Sequence, residues 1–352
     1  MRLGFATWVS DTPSGGNLYD RELIENLRAL GVDVAVRRIG GHWPGADQQV
    51  RADLWAALNA DQLTLVDGML AGDAPELVEA AVGAGRSVTI VVHHFGADRP
   101  ELSPAERIRF TVAEARALRA ATGVICTSQW AAAELARRYA LVDIGVAAPG
   151  VVRAEPSPGS RAAGQARFLM LGSVTSTKDQ VGLVSALSRI KDLAWSARLV
   201  GGDTVDPDYT VRAWTAIADH GLTERVALTG PLVGAELAAE WSATDLLVHP
   251  SLSETYGIVV LEALAHGIPA VVAAGTGAVE ALGAGRGSAA ELQPGAVVPP
   301  RDPTVLADIL RTWLTDPSVA RTWREAALRQ RTRLPSWSQA AVSTLNYLRR
   351  SR

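Results

Sequence analysis

One cysteine, Cys126, is all that the 352 residues contain. A lone thiol excludes an internal disulfide and a cysteine-built zinc cage, and it suits a reducing compartment. Long apolar runs are also missing: none approaches the ~20 residues that a bilayer-crossing helix requires. The apolar stretch at residues 3–9 is broken by Thr7 and stopped by Ser10 and Asp11, too short for a signal-peptide core, so a cytoplasmic location is expected. Nor does one sign of charge dominate. Against 34 Lys and Arg stand 37 Asp and Glu, a formal net charge of -3, which leaves no field to hold a polyanion, and nucleic acid is not an expected partner. No G-x-G-x-x-G follows the first apolar run. Gly15 and Gly16 come too late and too isolated for it, which sets a nicotinamide dehydrogenase aside.

What is present is ordinary globular composition, 48% hydrophobic and 20% charged, in a chain long enough for about two domains. Short apolar runs alternate with amphipathic stretches, the pattern of parallel strands joined by crossover helices, so the fold class is α/β. Strands are predicted at residues 3–5, 32–36, 63–66, 87–92 and 124–127, with helices from about 23 and at 75–84, 104–121 and 129–139. A second set of strands follows at 167–171, 197–200, 226–228, 246–249 and 270–273. Residues 151–165 are rich in Pro, Gly and small side chains without apolar periodicity, and mark a boundary. The expected organisation is 1–155, 156–335, and a helix at 336–352 packing back on the N-terminal domain. The Ala/Gly-rich residues 273–290 read as loops around short helices.

In open parallel sheets ligands bind beyond the carboxyl ends of the strands. There the sequence places residues 13–17, Asp67, His93 and His94, then Gly172, Ser173, Gly201 to Asp203, and Pro250 to Glu254. The richest stretch is 253–269. A helix predicted from Gly257 turns its amides around Tyr256 to Val259 toward the strand ends, a ready phosphate site. Glu254 precedes it and Glu262 lies inside it; each carboxylate can accept a bidentate pair from vicinal hydroxyls, with Lys178 and a diphosphate between them. Taken singly, Glu254 reads first as a cap, Glu262 as a solvated helix residue and Lys178 as a surface lysine. The pair His93 and His94 reads equally as satisfied loop residues.

Together these residues resemble the retaining nucleotide-sugar glycosyltransferases of the GT-B fold (glycosyl transferases group 1), which include bacterial glycogen synthases and phosphatidylinositol mannosyltransferases. The E-x7-E signature is carried by Glu254 and Glu262, with the turn Thr255, Tyr256, Gly257 and the closing Ala265, His266, Gly267, Ile268, Pro269. Gly172 followed six residues later by Lys178 matches the family's diphosphate lysine. Gly15 and Gly16 match its first loop, and His93 its N-domain histidine. Ser173 stands where the family commonly has Arg, so leaving-group stabilisation falls to Lys178, Arg301 or another residue.

The resemblance implies two Rossmann-like doubly wound domains facing each other across a cleft, the first on the acceptor side and the second binding the donor. It implies Glu254, Lys178 and His93 as catalytic residues; Gly16, Gly172, Ser173, Lys178, Thr255, Tyr256, Gly257, Ile258 and Glu262 around the donor; and His93, His94 and Asn17 toward the acceptor. The implied reaction moves a hexose from a nucleotide-diphosphate sugar to a hydroxyl by front-face attack. Glu254 orients the sugar instead of attacking it, the departing diphosphate takes the proton, and neither cofactor nor metal is required. The acceptor is soluble or lipid-linked, with a soluble one favoured because Glu106 and Glu114 dilute the arginines of 105–121. Two alternatives stay open: an epimerase or hydrolase of the same fold, and a catalytically silent nucleotide-sugar-binding protein.

Overall fold

The computed structural model describes residues 1–9, 14–99, 102–160, 164–288 and 290–350. Ser10 to Pro13, residues 161–163 of the expected boundary and Ala289 lie outside the described residues. The chain divides into two compact units, Met1–Gly150 with Ser336–Arg352, and Val151–Pro335.

The first unit runs β1 (Arg2–Trp8), α1 (Gly15–Ala29), β2 (Asp33–Ile39), α2 (Gln48–Asn59), β3 (Leu63–Asp67), α3 (Gly68–Asp73), α4 (Pro75–Gly83), β4 (Ser87–Val92), α5 (Pro104–Ala120), β5 (Gly123–Cys126), α6 (Gln129–Tyr139) and β6 (Ile144–Val146). The second runs β7 (Ala166–Leu171), α7 (Gln180–Ser188), β8 (Trp195–Val200), α8 (Pro207–Asp219), β9 (Val226–Gly230), α9 (Gly234–Ala243), β10 (Leu246–His249), α10 (Ile258–Ala265), β11 (Ala270–Ala273), α11 (Ala278–Leu282), β12 (Gly295–Val298), α12 (Pro303–Thr315) and α13 (Pro317–Gln330). The chain then returns to the first unit as α14 (Trp337–Arg350).

Both sheets are six-stranded and parallel, in the orders β2-β1-β3-β4-β5-β6 and β12-β11-β10-β7-β8-β9. The second is the doubly wound Rossmann order, and the first reverses in the same way after its second strand. The strands are buried on both faces, hence their near-continuous apolar runs such as Leu246, Leu247, Val248 and Val88 to Val92. One core gathers Phe168, Met170, Trp195 and Leu199 under α7, α8 and α12. Another gathers Val66, Val88, Ile90 and Val92 under α2, α4 and α6.

Candidate active site

A topological switch point, where neighbouring strands send their connections to opposite faces, opens a crevice at the strands' carboxyl ends. In the second unit it lies between β7 and β10. The loop 172–179 leaves β7 and the loop 250–257 leaves β10. Leu252 N–H donates to the Thr177 carbonyl at 2.7 Å and Ser251 Oγ to the same carbonyl at 3.2 Å, which pins the two loops together. Inside the first loop Lys178 N–H donates to Thr175 O at 3.0 Å, and Asp179 caps α7 by accepting from Gly182 N–H. The Lys178 stem lies over Gly172, whose N–H is held by Val200 O at 2.8 Å.

This bracing brings Lys178 Nζ to 2.6 Å from Glu254 Oε2, and His249 Nε2 to 3.0 Å from the same oxygen. Glu254 keeps 17% of its side-chain exposure and His249 only 1%. Burial alone would push the Glu254 carboxyl up, but the Lys178 ammonium and the His249 contact outweigh it and hold the group well below the usual carboxylate range. Glu254 is therefore an anion with its charge partner in place. Glu262 is the opposite case: among the described residues no hydrogen bond or ion pair reaches its carboxyl, and burial pushes it up to about 7. One carboxylate of the pair is satisfied within the protein, and the other is poised for something outside it.

Gly257 is the N-cap of α10 with φ 90° and ψ 66°, a left-handed conformation that favours glycine, and no side chain caps the helix. The N-cap thus offers the first-turn amides of α10, Ile258 among them, no side-chain acceptor, and Val260 N–H donates to Gly257 O at 2.9 Å. Thr255 and Tyr256 are 7% and 3% exposed, and their backbone packs closely on Gly277, where a Cβ would stand 2.2 Å from Thr255 O. Gly277 N–H donates to Glu254 O at 2.7 Å and braces the turn from the far side. Ser173 contributes its carbonyl to Gln180 Nε2 at 3.0 Å. Arg301 is exposed, and its charge bears on Asp179.

In the first unit the switch point lies between β1 and β3. His93, just past β4, sets Nε2 3.4 Å from Asp20 Oδ1 and 3.4 Å from Asp67 Oδ2. Thr7 Oγ1 donates to Asp20 Oδ2 at 2.5 Å, and Asp67 accepts from Met69 N–H at 2.6 Å. Burial pulls the imidazole down, but the two carboxylates outweigh it and raise His93 well above the ordinary histidine value. Burial leaves Asp20 above its usual range; for Asp67 the His93 charge overcomes burial and holds it below. His94 stacks on His93 with ring centroids 5.8 Å apart, and burial with the His93 charge brings it down to about 4. Gly16 presses on the His93 ring: a Cβ there would stand 2.7 Å from Cε1. Asn17 N–H donates to Ser14 Oγ at 3.1 Å, capping α1.

Within each unit, then, the predicted residues fall into one group: Gly172, Lys178, Glu254 and the start of α10 in the second, Gly16, Asn17, His93 and His94 in the first. Sequence reasoning missed Thr7, Asp20 and His249 and gave Asp67 no role. For Asp20 there was a signal, a carboxylate on the apolar stripe of α1 beside Tyr19, Leu23 and Leu27. His249 closes an apolar strand immediately before the Pro250 loop.

The comparisons follow the same division. The family described as "Glycosyl transferases group 1" matches residues 153–330, half of the chain. The D-inositol 3-phosphate glycosyltransferase of Kineococcus radiotolerans is 31% identical over 280 residues, 72% of this chain and 62% of that protein. The 2-deoxystreptamine glucosyltransferase of Streptomyces kanamyceticus is 29% identical over 82% of this chain and 73% of its own. Against the inositol-phosphate enzymes of K. radiotolerans and Catenulispora acidiphila the chain spans less than two thirds of their length, 62% and 48%. Among solved structures, a sucrose-phosphate synthase from Thermosynechococcus elongatus superposes with a TM-score of 0.82 at 21% identity, covering 99% of this chain and 98% of that one. HepE of Anabaena, solved with UDP-glucose, gives 0.76 at 20% identity over 99% and 100%. These likenesses carry the fold, a GT-B pair of Rossmann-like domains, and the chain belongs to the glycosyl transferases group 1 family.

Proposed function

We propose that this protein transfers a hexose from a nucleotide-diphosphate sugar to an acceptor hydroxyl with retention of anomeric configuration. The observation that carries this reading is the switch-point cluster of the second unit: Lys178 paired with Glu254 beside a helix start without a side-chain cap, and a half-buried Glu262 whose carboxyl burial pushes up to about 7. Names of the similar proteins, which act on inositol phosphate and 2-deoxystreptamine or were solved with UDP-glucose, support a sugar donor and a polyhydroxylated acceptor.

The residues divide the work by their chemistry. The α10 amides around Ile258 and the Lys178 ammonium receive the diphosphate, and Glu262 accepts hydrogen bonds from the ribose hydroxyls. Glu254, already ionised, accepts from the sugar hydroxyls and orients the ring. As the bond to the anomeric carbon breaks, negative charge grows on the leaving phosphate, where Lys178 stabilises it. The acceptor hydroxyl attacks from the same face and gives its proton to that phosphate oxygen. His93, with His94 and Asn17, serves the acceptor side, and Gly16 the donor. No cofactor takes part, and the acceptor is a soluble one.

The test is turnover of UDP-glucose with D-inositol 3-phosphate or 2-deoxystreptamine offered as acceptors, with product configuration read from the anomeric proton coupling. An α-linked product is expected, and Lys178→Ala should lower kcat by about a hundredfold. A β-linked product would overturn retention. Ser173, where the family commonly has Arg, favours a second reading, a silent nucleotide-sugar-binding protein. Calorimetric binding of UDP-glucose without turnover on any acceptor would establish that one, and release of free glucose without acceptor would mark a hydrolase.

A further inference from the structure

The network around His93 contains a residue that neither the family motif nor the transfer reading uses. Asp20 lies on the buried stripe of α1, 2% exposed between Tyr19, Leu23 and Ile24. Packing gives no reason for a carboxylate there, since burying one costs several kcal/mol unless its oxygens are satisfied. Its two oxygens have separate duties. Oδ2 takes the Thr7 hydroxyl at 2.5 Å, and Oδ1 faces His93 Nε2 at 3.4 Å. From another element, the end of β3, Asp67 Oδ2 approaches the same nitrogen at the same distance. We propose that Asp20 is a positioning residue that acts through His93: with Asp67 it clamps the imidazole from two sides and fixes the edge that the ring turns toward the backbone at Gly16.

The geometry gives the clamp its direction. A ring flip would put a C–H group where Nε2 now meets two buried carboxylates, so one orientation is strongly preferred. In that orientation the opposite edge, Cε1 and Nδ1, lies 2.7 and 2.8 Å from where a Gly16 Cβ would stand. Only glycine lets the start of α1 come this close. The rings of Tyr19 and His94 flank His93 with centroids 6.0 and 5.8 Å away. The titratable groups facing it are Asp20 and Tyr19 from α1, Asp67 from β3 and His94 from its own loop; Asp98 and Arg99 bear on His94. Two carboxylates against one imidazole keep the ring charged at neutral pH. The switch point between β1 and β3 therefore presents a fixed cationic edge, suited to an electron-rich acceptor oxygen. The proposal rests on the acceptor-side placement of His93 given above.

The experiment uses the full chain with 13C,15N-labelled histidine. Of six histidines, His93 is assigned by its loss in His93→Gln. Asp20→Asn keeps the size and the Thr7 hydrogen bond but removes the charge. The expected result is a His93 ring that stays protonated from pH 6 to 8 in the wild type and titrates at least one unit lower in Asp20→Asn, a tenfold fall in its proton affinity. Thr7→Val should move it in the same direction by less. With UDP-glucose and the acceptor that turns over, Asp20→Asn should lower kcat about tenfold and shift the pH profile, while the calorimetric Kd for UDP-glucose stays within about twofold. If Asp20→Asn does not fold, Thr7→Val and Asp67→Asn carry the same comparison. An unchanged His93 titration in folded variants would overturn the proposal. So would stoichiometric broadening of the His93 signals by micromolar Mn²⁺, which would make the cluster a cation site. A shifted titration in a protein that turns over no acceptor would retire the transfer reading and leave the clamp standing.

Discussion

Glu262 shows how burial can hold a carboxyl in a form unsuited to the role proposed for it. Burial raises its carboxyl from an ordinary 4.5 to about 7, so the folded chain binds more protons than the unfolded one between those values. Stability therefore falls as pH rises through that window and stays lower above it. Glu262→Gln removes the penalty. The ligand-free variant should gain about 2 kcal/mol at pH 8, a Tm rise on the order of 5 °C for its domain, and nearly nothing at pH 5. Donor binding should respond in the opposite sense. Only the carboxylate accepts from both ribose hydroxyls, so the Kd for UDP-glucose should tighten about tenfold from pH 6 to pH 8 in the wild type, and calorimetry should find that slope abolished in Glu262→Gln. A wild-type Kd that is flat with pH would remove Glu262 from the donor site. The E-x7-E spacing made Glu262 visible in the sequence, but its lack of a partner did not show there, because a missing hydrogen bond belongs to the surroundings. Thr7 and His249 were illegible for the converse reason, and Asp20 showed only as a carboxylate on an apolar stripe without its partners: ordinary residues in ordinary elements become a cluster only when the sheet assembles.

At the scale of elements, α14 ties the chain's end to its beginning. Trp337 packs edge-on against Tyr19, with centroids 5.7 Å apart, and Tyr19 Oη donates to Ala147 O at 2.8 Å. Further along, Tyr347 Oη donates to Asp143 O at 2.8 Å and accepts from Val124 N–H at 3.2 Å. A helix near the end of the chain thus holds α1, the β6 approach and β5 together. Trp337→Ala should cost the first unit about 3–5 kcal/mol. Hydrogen exchange should show protection lost in α1, β6 and α14 while α7 to α10 keep theirs; uniform loss across both units would count against this local role. The helical period of α14 was readable at Ala340, Leu345 and Leu348, but its docking surface was not. The central strands were readable to within a few residues, since burial on both faces demands unbroken apolar runs. The edge strands β6 (Ile144–Val146) and β12 (Gly295–Val298) were not read: each is short, has one neighbour and carries a glycine, so no run survives.

For the whole molecule the decisive quantity is where positive charge is available. With a net charge of -3 there is no general field to draw in a diphosphate, so its neutralisation must be local. Strand order is what supplies it: Lys178 and Glu254, 76 positions apart, meet because β7 and β10 are neighbours, which alternation in the sequence implies no more than it implies any other parallel order. Asp206, Pro207 and Asp208 have the spacing with which other glycosyltransferases hold a divalent cation on the donor. In this fold Asp206 is instead the N-cap of α8, accepting from Tyr209 N–H at 3.1 Å, with Pro207 in the first turn. A carboxylate engaged in capping serves the helix, and in the proposed transfer the α10 amides with Lys178 receive the leaving group. Turnover of UDP-glucose is therefore expected to survive excess EDTA. Joint replacement Asp206→Ala and Asp208→Ala should cost about 1 kcal/mol of stability through the lost cap and leave kcat within about twofold. Activity abolished by EDTA and restored by Mn²⁺, together with an inactive double variant, would move the diphosphate from α10 to the start of α8.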